Sequence, residues 1–168
     1  LQEINTSSLY HKILELNFRM KKNVVYTALF GNYDYLIEPS EVFDDCDFIC
    51  FTDQVGLKSD IWEIRQISSD ELPNNLMNRK FKILPHKYLA EYQFSQYLDA
   101  NIYLKGNPNL LIQKYLEKDI FAIPHHPWRT CVFEEASECI IAGKSSYLET
   151  TKQMKKYELL GLPLDYGL

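Results

Sequence analysis

Short apolar runs alternate along this chain with segments of helical spacing, which predicts an α/β fold with a mainly parallel sheet flanked by helices. Residues 24–30 and 47–53 are apolar without alternation, as is typical of central strands covered on both faces. Residues 61–67 alternate with period two and predict a strand with one solvated face. A half-buried run that ends at Asp99 and the apolar run of residues 120–124 predict two further strands.

Four segments place apolar residues on one helical face and are predicted as helices. They are residues 8–21, residues 74–84, a helix that begins at Pro108 and a last helix that begins after Ser146. Asn107 is a favourable N-cap before the proline, and Ser146 with Glu149 forms a capping box. Pro85 ends the second helix, and Gly161 is predicted to end the last.

The composition indicates a folded protein without the charge that a nucleic-acid partner requires. The 168 residues carry a net charge of −5, whereas a nucleic-acid-binding surface needs a basic face. No run is long and apolar enough to span a bilayer and no signal sequence opens the chain, so we expect a cytoplasmic location, free or peripheral to a membrane. The four cysteines form no Cys-x-x-Cys pair and are predicted to be reduced thiols in the core.

Polar residues follow the first two predicted strands at the points where the strands end. Gly31 permits a positive φ or a close approach of a ligand to the backbone, and Tyr33 or Asp34 is a candidate contact for a ribose or a base. Asp53 ends the second strand. Ligands of open α/β sheets collect at the carboxyl ends of strands, so these residues outline one edge of a site. The alternative is a plain turn with a surface aspartate.

The tripeptide Asp99-Ala100-Asn101 places two oxygen-bearing side chains two residues apart. In a strand, residues i and i+2 point to the same side, so Asp99 and Asn101 can offer two oxygens to one hard cation. Mg²⁺ and Mn²⁺ bound in this way keep open positions for the phosphates of a nucleotide. The same tripeptide is also ordinary turn chemistry, because both polar side chains tolerate turns.

Two further groups of polar residues are candidates for binding and catalysis. The first is the basic cluster Arg79, Lys80, Lys82, His86 and Lys87, which is either a solvated helix face or a diphosphate clamp. In the second, His126 can bind a cation or a phosphate, Arg129 can hold a phosphate, and Glu134 or Glu135 can act as a base. The alternative for the second group is a loop followed by a helix whose first turn is acidic.

Taken in chain order, these motifs resemble the glycosyltransferase-like domain of the TOD/MUCI type. The matching segments are residues 25–34, 50–53, 78–82, 84–87, 97–101, 126–129 and 157–163. The resemblance covers roughly residues 23–168 and implies a GT-A-like fold with a Rossmann-like nucleotide-binding half. In that fold, Asp99-Ala100-Asn101 stands where sugar-nucleotide transferases carry Asp-x-Asp.

The predicted domain organisation is an N-terminal helical segment of residues 1–22 followed by a single GT-A-like domain of residues 23–168. No linker, repeat or low-complexity segment divides these residues. The chain ends soon after a loop signal, so we expect the domain to be truncated at its C-terminus and the chain to be one part of a longer protein.

The resemblance implies a hexosyltransferase-like enzyme that transfers a sugar from a nucleotide diphosphate donor, UDP-linked, to a glycan or glycolipid acceptor. We hypothesise that Asp99, Asn101 and His126 bind Mn²⁺ or Mg²⁺. The predicted nucleoside contacts are Thr27, Gly31, Tyr33, Asp34 and Asp53, and the predicted diphosphate contacts are Arg79, Lys82, Lys87 and Arg129. The predicted catalytic residues are Asp99, His126, Glu134 and Glu135.

Two other functions are compatible with the same residues. The first is a non-catalytic module that binds a sugar nucleotide or a glycan, because Asn101 replaces the second carboxylate and its neutral amide weakens cation binding. The second is a sugar nucleotidyltransferase, which would be expected to carry a glycine-rich phosphate loop, whereas Gly31 stands alone.

Overall fold

A computed structural model describes residues 21–32, 34–68, 72–116 and 118–167. The helix predicted over residues 8–21 lies outside the described residues except for Lys21, which begins a strand, and Tyr33 also lies outside them. The chain forms two compact units that meet in sequence between Ile120 and Phe121, and each is described by itself. The single domain predicted for residues 23–168 stays a prediction.

The first unit contains a four-stranded sheet in which every neighbouring pair of strands is parallel. Its strands are β1 (Lys21–Leu29), β2 (Cys46–Thr52), β3 (Glu63–Gln66) and β4 (Tyr92–Tyr97), and its helices are α1 (Asn74–Ile83), α2 (Pro85–Tyr88) and α3 (Pro108–Tyr115). The strand order is β3-β2-β1-β4. The predicted α/β fold with a mainly parallel sheet is therefore confirmed.

Both faces of the two central strands are buried, as their uninterrupted apolar runs predict. On one face Tyr26 and Phe51 pack with Phe81 of α1, and on the other Val25 and Phe48 pack with Trp62. The Phe81 ring lies 4.6 Å from the ring of Phe51, between centroids, and stacks on it. This aromatic contact fixes α1 against the sheet.

The cysteines of the sheet are core thiols, as predicted. Cys46 and Cys50 lie on β2, are buried and form no disulfide with any described residue. Burial raises the pKa of the Cys46 thiol to about 11 and that of Cys50 to about 12. Both thiols therefore remain protonated at neutral pH and are poor nucleophiles.

The strand predicted to end at Asp99 is confirmed as β4, although β4 ends two residues earlier, at Tyr97. The backbone then turns, and the N–H of Ile102 donates to the carbonyl oxygen of Asp99 at 2.9 Å. The strand predicted over residues 120–124 is wrong. Residues 120–124 are irregular and exposed, and no described strand pairs with them. An apolar run becomes a strand only where a neighbouring strand offers hydrogen bonds, and composition does not reveal that partner.

The second unit contains the helices α4 (Val132–Ile141) and α5 (Tyr147–Leu159). The Cys131 sulfur caps α4 by accepting the N–H of Phe133 at 3.3 Å. Ser146 is the N-cap of α5 as predicted, although its side chain makes no capping bond to a described residue. Gly161 follows α5 at φ +84°, the left-handed conformation of a helix C-terminus. Among the described helices, none has the length and apolarity needed to cross a membrane.

Candidate functional site

In the sheet of the first unit, the strands that follow β1 in sequence lie first on one side of β1 and then on the other. β2 and β3 lie on one side of β1, and β4 lies on the other. Open α/β sheets bind ligands outside the carboxyl ends of the strands at such a switch point. We call this region the switch-point edge and define it by Gly31, Asp53, Lys82, Asp99 and Asn101.

The loop that begins at Phe30 after β1, here called the β1 loop, and the turn after β4 lie at this edge. Backbone hydrogen bonds hold both segments. Tyr26 of β1 stands opposite Tyr97 of β4, and the N–H of Leu98 donates to the Tyr26 carbonyl oxygen at 3.0 Å. The N–H of Ile37, which lies beyond the β1 loop, donates to the carbonyl oxygen of Ala100 at 2.9 Å. The segment after β1 is thereby hydrogen-bonded to the Asp99 turn.

Three side chains hold the backbone of the β1 loop. The N–H of Gly31 donates to Asp53 Oδ1 at 2.9 Å, and the N–H of Phe30 donates to Asn78 Oδ1 at 3.0 Å. Gln54 Nε2 donates to the carbonyl oxygen of Gly31 at 2.8 Å. Asp53 therefore positions the loop through one of its oxygens. The roles of Asn78 and Gln54 were not predicted, because a single polar residue beside an apolar run gives no sign of its distant partner.

Gly31 is expected to be the least replaceable residue of this loop. Its φ is +77°, and a Cβ built on it would lie 2.5 Å from Asn74 Nδ2. Gly31→Ala should lower the free energy of unfolding by about 1–3 kcal/mol, measured by urea denaturation, because a left-handed non-glycine residue is strained. Gly56→Ala is the matched control, since Gly56 has φ +83° but its Cβ would meet no described atom within 4 Å.

The difference between these two variants isolates the contact with Asn74. Gly31→Ala should cost more than Gly56→Ala, and Asn74→Ala added to Gly31→Ala should recover the difference. Equal losses in the two glycine variants would contradict a close approach of Asn74 to Gly31.

A lysine ammonium group and an aspartate carboxylate form an ion pair at the switch-point edge. Lys82 Nζ at the end of α1 lies 3.4 Å from Asp99 Oδ1 and 4.4 Å from the centroid of the Tyr97 ring. The side chains of Lys82 and Asp99 are 49% and 59% exposed, so the pair contributes little to stability. The predicted diphosphate contacts Arg79 and Lys87 are also exposed, on α1 and α2.

Asp99 and Asn101 occupy a turn, so the strand periodicity that placed their side chains on one side does not apply to them. Both residues are exposed, and their oxygens are of the kind that Mg²⁺ and Mn²⁺ prefer. A cation held by these two residues would take its remaining ligands from water and phosphate. No group of three His, Cys, Asp or Glu side chains within the described part of the chain is arranged for a metal ion.

The predicted nucleoside contacts need one correction. Thr27 lies in β1 with 0% exposure, and its hydroxyl has no hydrogen-bond partner among the described residues. It is a core residue and cannot contact a ligand at the surface. Asp34 is half-buried in the β1 loop, and its Oδ1 accepts the N–H of Tyr35 at 2.9 Å.

Three of the predicted residues in the second unit form one hydrogen-bonded cluster. Arg129 Nη1 donates to Glu135 Oε2 at 2.6 Å and lies 3.2 Å from His126 Nε2. The backbone N–H of Arg129 also donates to His126 Nδ1 at 3.0 Å. Arg129 is thus already paired with a carboxylate.

Glu135 and Glu134 have different environments. The Cys139 thiol donates to Glu135 Oε1 at 3.3 Å, and this bond together with the charges of Arg129 and His126 lowers the pKa of Glu135, while burial acts in the opposite direction. Glu134 is exposed, and its Oε2 accepts the N–H of Thr130 at 3.3 Å. Because the Glu135 carboxylate is already bound by Arg129 and Cys139, Glu134 is the less constrained of the two carboxylates.

The lowered pKa of Glu135 predicts an acid-labile contribution to stability. A carboxyl group whose folded pKa lies below its unfolded value stabilises the fold above the unfolded pKa, and that stabilisation disappears as the pH falls through the folded pKa. Glu135→Gln should therefore lower Tm at pH 7 and have a smaller effect at about pH 3, below the usual glutamate pKa of about 4.3. Glu158→Gln, at an exposed residue of α5, is the control. A Tm loss for Glu135→Gln that does not depend on pH would contradict the charged cluster.

The comparisons with known proteins give one result. No curated protein and no solved structure matches the chain. The family model of the TOD1/MUCI70, glycosyltransferase-like domain matches residues 52–166, which begin at the end of β2 and extend beyond α5. The match covers more than half of the chain and confirms the resemblance found in the motifs. The chain belongs to the TOD1/MUCI70 glycosyltransferase-like domain family.

Proposed function

We propose that this chain is a glycosyltransferase that transfers a sugar from a UDP-linked donor to a glycan or glycolipid acceptor. Membership of a glycosyltransferase-like family supports the reaction class. The observation that carries the proposal is the Asp99 carboxylate beside the Lys82 ammonium at the switch-point edge, where α/β sheets bind nucleotides.

On the donor side, the chain has to bind a nucleotide and stabilise a departing diphosphate. The β1 loop, which Asp53 holds through the N–H of Gly31, would line the nucleoside side of this site. Lys82 offers positive charge to the diphosphate, and such stabilisation of a leaving group is commonly the largest catalytic term. Asp99 and Asn101 are the residues that would hold Mn²⁺ or Mg²⁺, which when bound neutralises charge on the diphosphate.

On the acceptor side, a hydroxyl group has to lose a proton as its oxygen forms the bond to the anomeric carbon. The bond from that carbon to the diphosphate oxygen breaks in the same transfer. We assign the proton to the exposed Glu134 or to His126, whereas the pairing of Glu135 with Arg129 and Cys139 suits that residue to positioning.

The test is the release of UDP from a panel of UDP-sugars, with Mn²⁺ or Mg²⁺ and with neutral oligosaccharides as acceptors. We expect UDP to be released. In the presence of the cation, UDP should also raise Tm, because a ligand at a hundredfold excess over its Kd stabilises the folded state by about 2.7 kcal/mol. If no UDP-sugar is turned over and no nucleotide shifts Tm, the proposal is wrong.

A second function, a non-catalytic module that binds sugar nucleotides, is favoured by one observation. The second oxygen ligand is the neutral amide of Asn101, and the only carboxylate of the tripeptide is already paired with Lys82. Such a module would bind UDP-sugars and raise Tm without releasing UDP in the presence of any acceptor.

A further inference from the structure

We infer that the side-chain amide of Asn74, in the first turn of α1, binds the uracil base of the donor. The inference rests on the proposed function, because it names a further contact of the same nucleotide site. Asn74, Asn78 and Lys82 lie four residues apart, so they follow one another along one side of α1. We call these three residues the α1 row.

Each residue of the α1 row contacts the β1 loop or the turn after β4. Asn74 lies against Gly31, since a Cβ built on the glycine would lie 2.5 Å from Asn74 Nδ2. Asn78 Oδ1 accepts a backbone N–H of the β1 loop at 3.0 Å. Lys82 Nζ lies 3.4 Å from Asp99 Oδ1. The row therefore runs along the switch-point edge, from the loop to the turn.

The α1 row has a length that suits a nucleoside diphosphate. Each residue of an α-helix adds about 1.5 Å, so Asn74 and Lys82 are separated by about 12 Å along the helix axis. An extended nucleoside diphosphate has a similar distance between its base and its terminal phosphate. Because the diphosphate is assigned to Lys82, the base lies at the Asn74 end of the row.

Asn74 carries a polar group that Gly31 itself cannot offer to a ligand. The N–H of Gly31 already donates to Asp53, and its carbonyl oxygen already accepts from Gln54. The Asn74 side chain is exposed and forms no hydrogen bond with any residue that the structure describes. Its amide lies in the space that the glycine leaves open, so a ligand at the β1 loop meets it.

The usual structural role of an asparagine at a helix start does not apply to Asn74. Asparagine is favoured at the N-cap, where its oxygen accepts a backbone N–H. The N-cap of α1 is Pro73, and no side chain of a described residue caps the helix. The Asn74 amide is therefore not needed to begin α1, and its removal should leave the fold intact.

The amide group is complementary to the edge of uracil. Uracil offers one donor, its N3–H, between two carbonyl oxygens. A side-chain amide has one acceptor oxygen and an NH₂ donor side by side. The Asn74 oxygen can therefore accept the N3–H while its NH₂ group donates to an adjacent carbonyl oxygen of the base.

The test is calorimetric binding of UDP, N3-methyl-UDP and pyrophosphate to the full chain in the presence of Mg²⁺. The wild type should prefer UDP to N3-methyl-UDP by at least about fivefold, because the methyl group removes the N3–H. Asn74→Ala should weaken UDP binding by at least about fivefold and should bind both nucleotides equally. Pyrophosphate, which has no base, should bind the two proteins alike.

Asn75→Ala is the matched control. Asn75 is the same residue type and is also exposed, but successive helical residues point about 100° apart, so it lies outside the α1 row. Its variant should bind UDP like the wild type and keep the preference over N3-methyl-UDP. Lys82→Ala, at the other end of the row, should weaken the binding of both UDP and pyrophosphate.

Unchanged UDP binding by Asn74→Ala, or a preference over N3-methyl-UDP that survives in this variant, would overturn the base contact and leave the proposed function standing. If the wild type binds no nucleotide, both are wrong. Turnover of UDP-sugars is measured separately. The predicted affinities without turnover of any UDP-sugar would support the base contact and overturn the transferase.

Discussion

Replacing Asp99 with alanine should lower the rate of UDP release by at least about 100-fold, which corresponds to about 2.7 kcal/mol of transition-state stabilisation. Asp99 is the only carboxylate of its tripeptide and lies 3.4 Å from Lys82 at the switch-point edge. Removal of a group that stabilises charge in the transition state typically costs a factor of this size. The Asp99 carbonyl oxygen, which closes the turn, remains in the variant.

The fold of the Asp99 variant should be intact. The carboxylate is 59% exposed and its ion pair is a surface pair, so we expect the free energy of unfolding to change by less than about 1 kcal/mol. Asp60→Ala, at an exposed aspartate before β3, is the matched control for loss of one surface charge. If the Asp99 and Asp60 variants release UDP at the same rate, the switch-point edge is not the donor site.

Phe81→Ala should produce the largest loss of stability, about 3–5 kcal/mol in urea denaturation. The Phe81 side chain is 2% exposed and lies within 5.3 Å, between ring centroids, of Phe30, Phe51 and Tyr88. Its removal leaves a cavity between α1 and the sheet. Because α1 also carries Asn78 and Lys82, the variant should lose nucleotide binding near its lowered Tm.

Ile83→Ala is the control on the same helix. Ile83 is 69% exposed, so its truncation removes little buried surface and should cost less than about 1 kcal/mol. Similar losses for the Phe81 and Ile83 variants would show that α1 does not pack on the sheet through Phe81.

The elements that could be predicted have local signals. The apolar runs before Gly31 and Asp53 are central parallel strands because a strand buried on both faces has no polar side. Pro85 follows the helix that it was predicted to end, with Leu84 as the C-cap. Asn107 caps α3 by accepting the N–H of Asn109 at 2.9 Å.

The strand predicted over residues 120–124 is wrong because strand formation depends on a distant partner. This irregular run has the composition of a strand-forming segment. Whether it pairs with a neighbouring strand depends on tertiary structure, which local composition does not contain. Thr27 was assigned to a ligand from its position near a strand end, but its side chain points into a core that only the packed sheet defines.

The candidate site was predicted only in part, because some of its contacts join residues that are far apart in sequence. His126, Arg129 and Glu135 lie close together in sequence, so their clustering is a local event. The bond from Cys139 to Glu135 was missed, although the two residues are four apart on α4, the spacing at which helical side chains meet. Asn78 reaches Phe30 across 48 residues, and no local pattern signals that contact.

The most direct test of the donor site is a titration with UDP and Mg²⁺ followed by two-dimensional NMR of backbone amides. We predict shifts at Gly31, Asn32 and Asp34 in the β1 loop and at Asp99 and Asn101 in the turn after β4. Shifts confined to the amino ends of the strands, around Asn23 and Asp47, or no shifts at saturating UDP would contradict a nucleotide site at the switch-point edge.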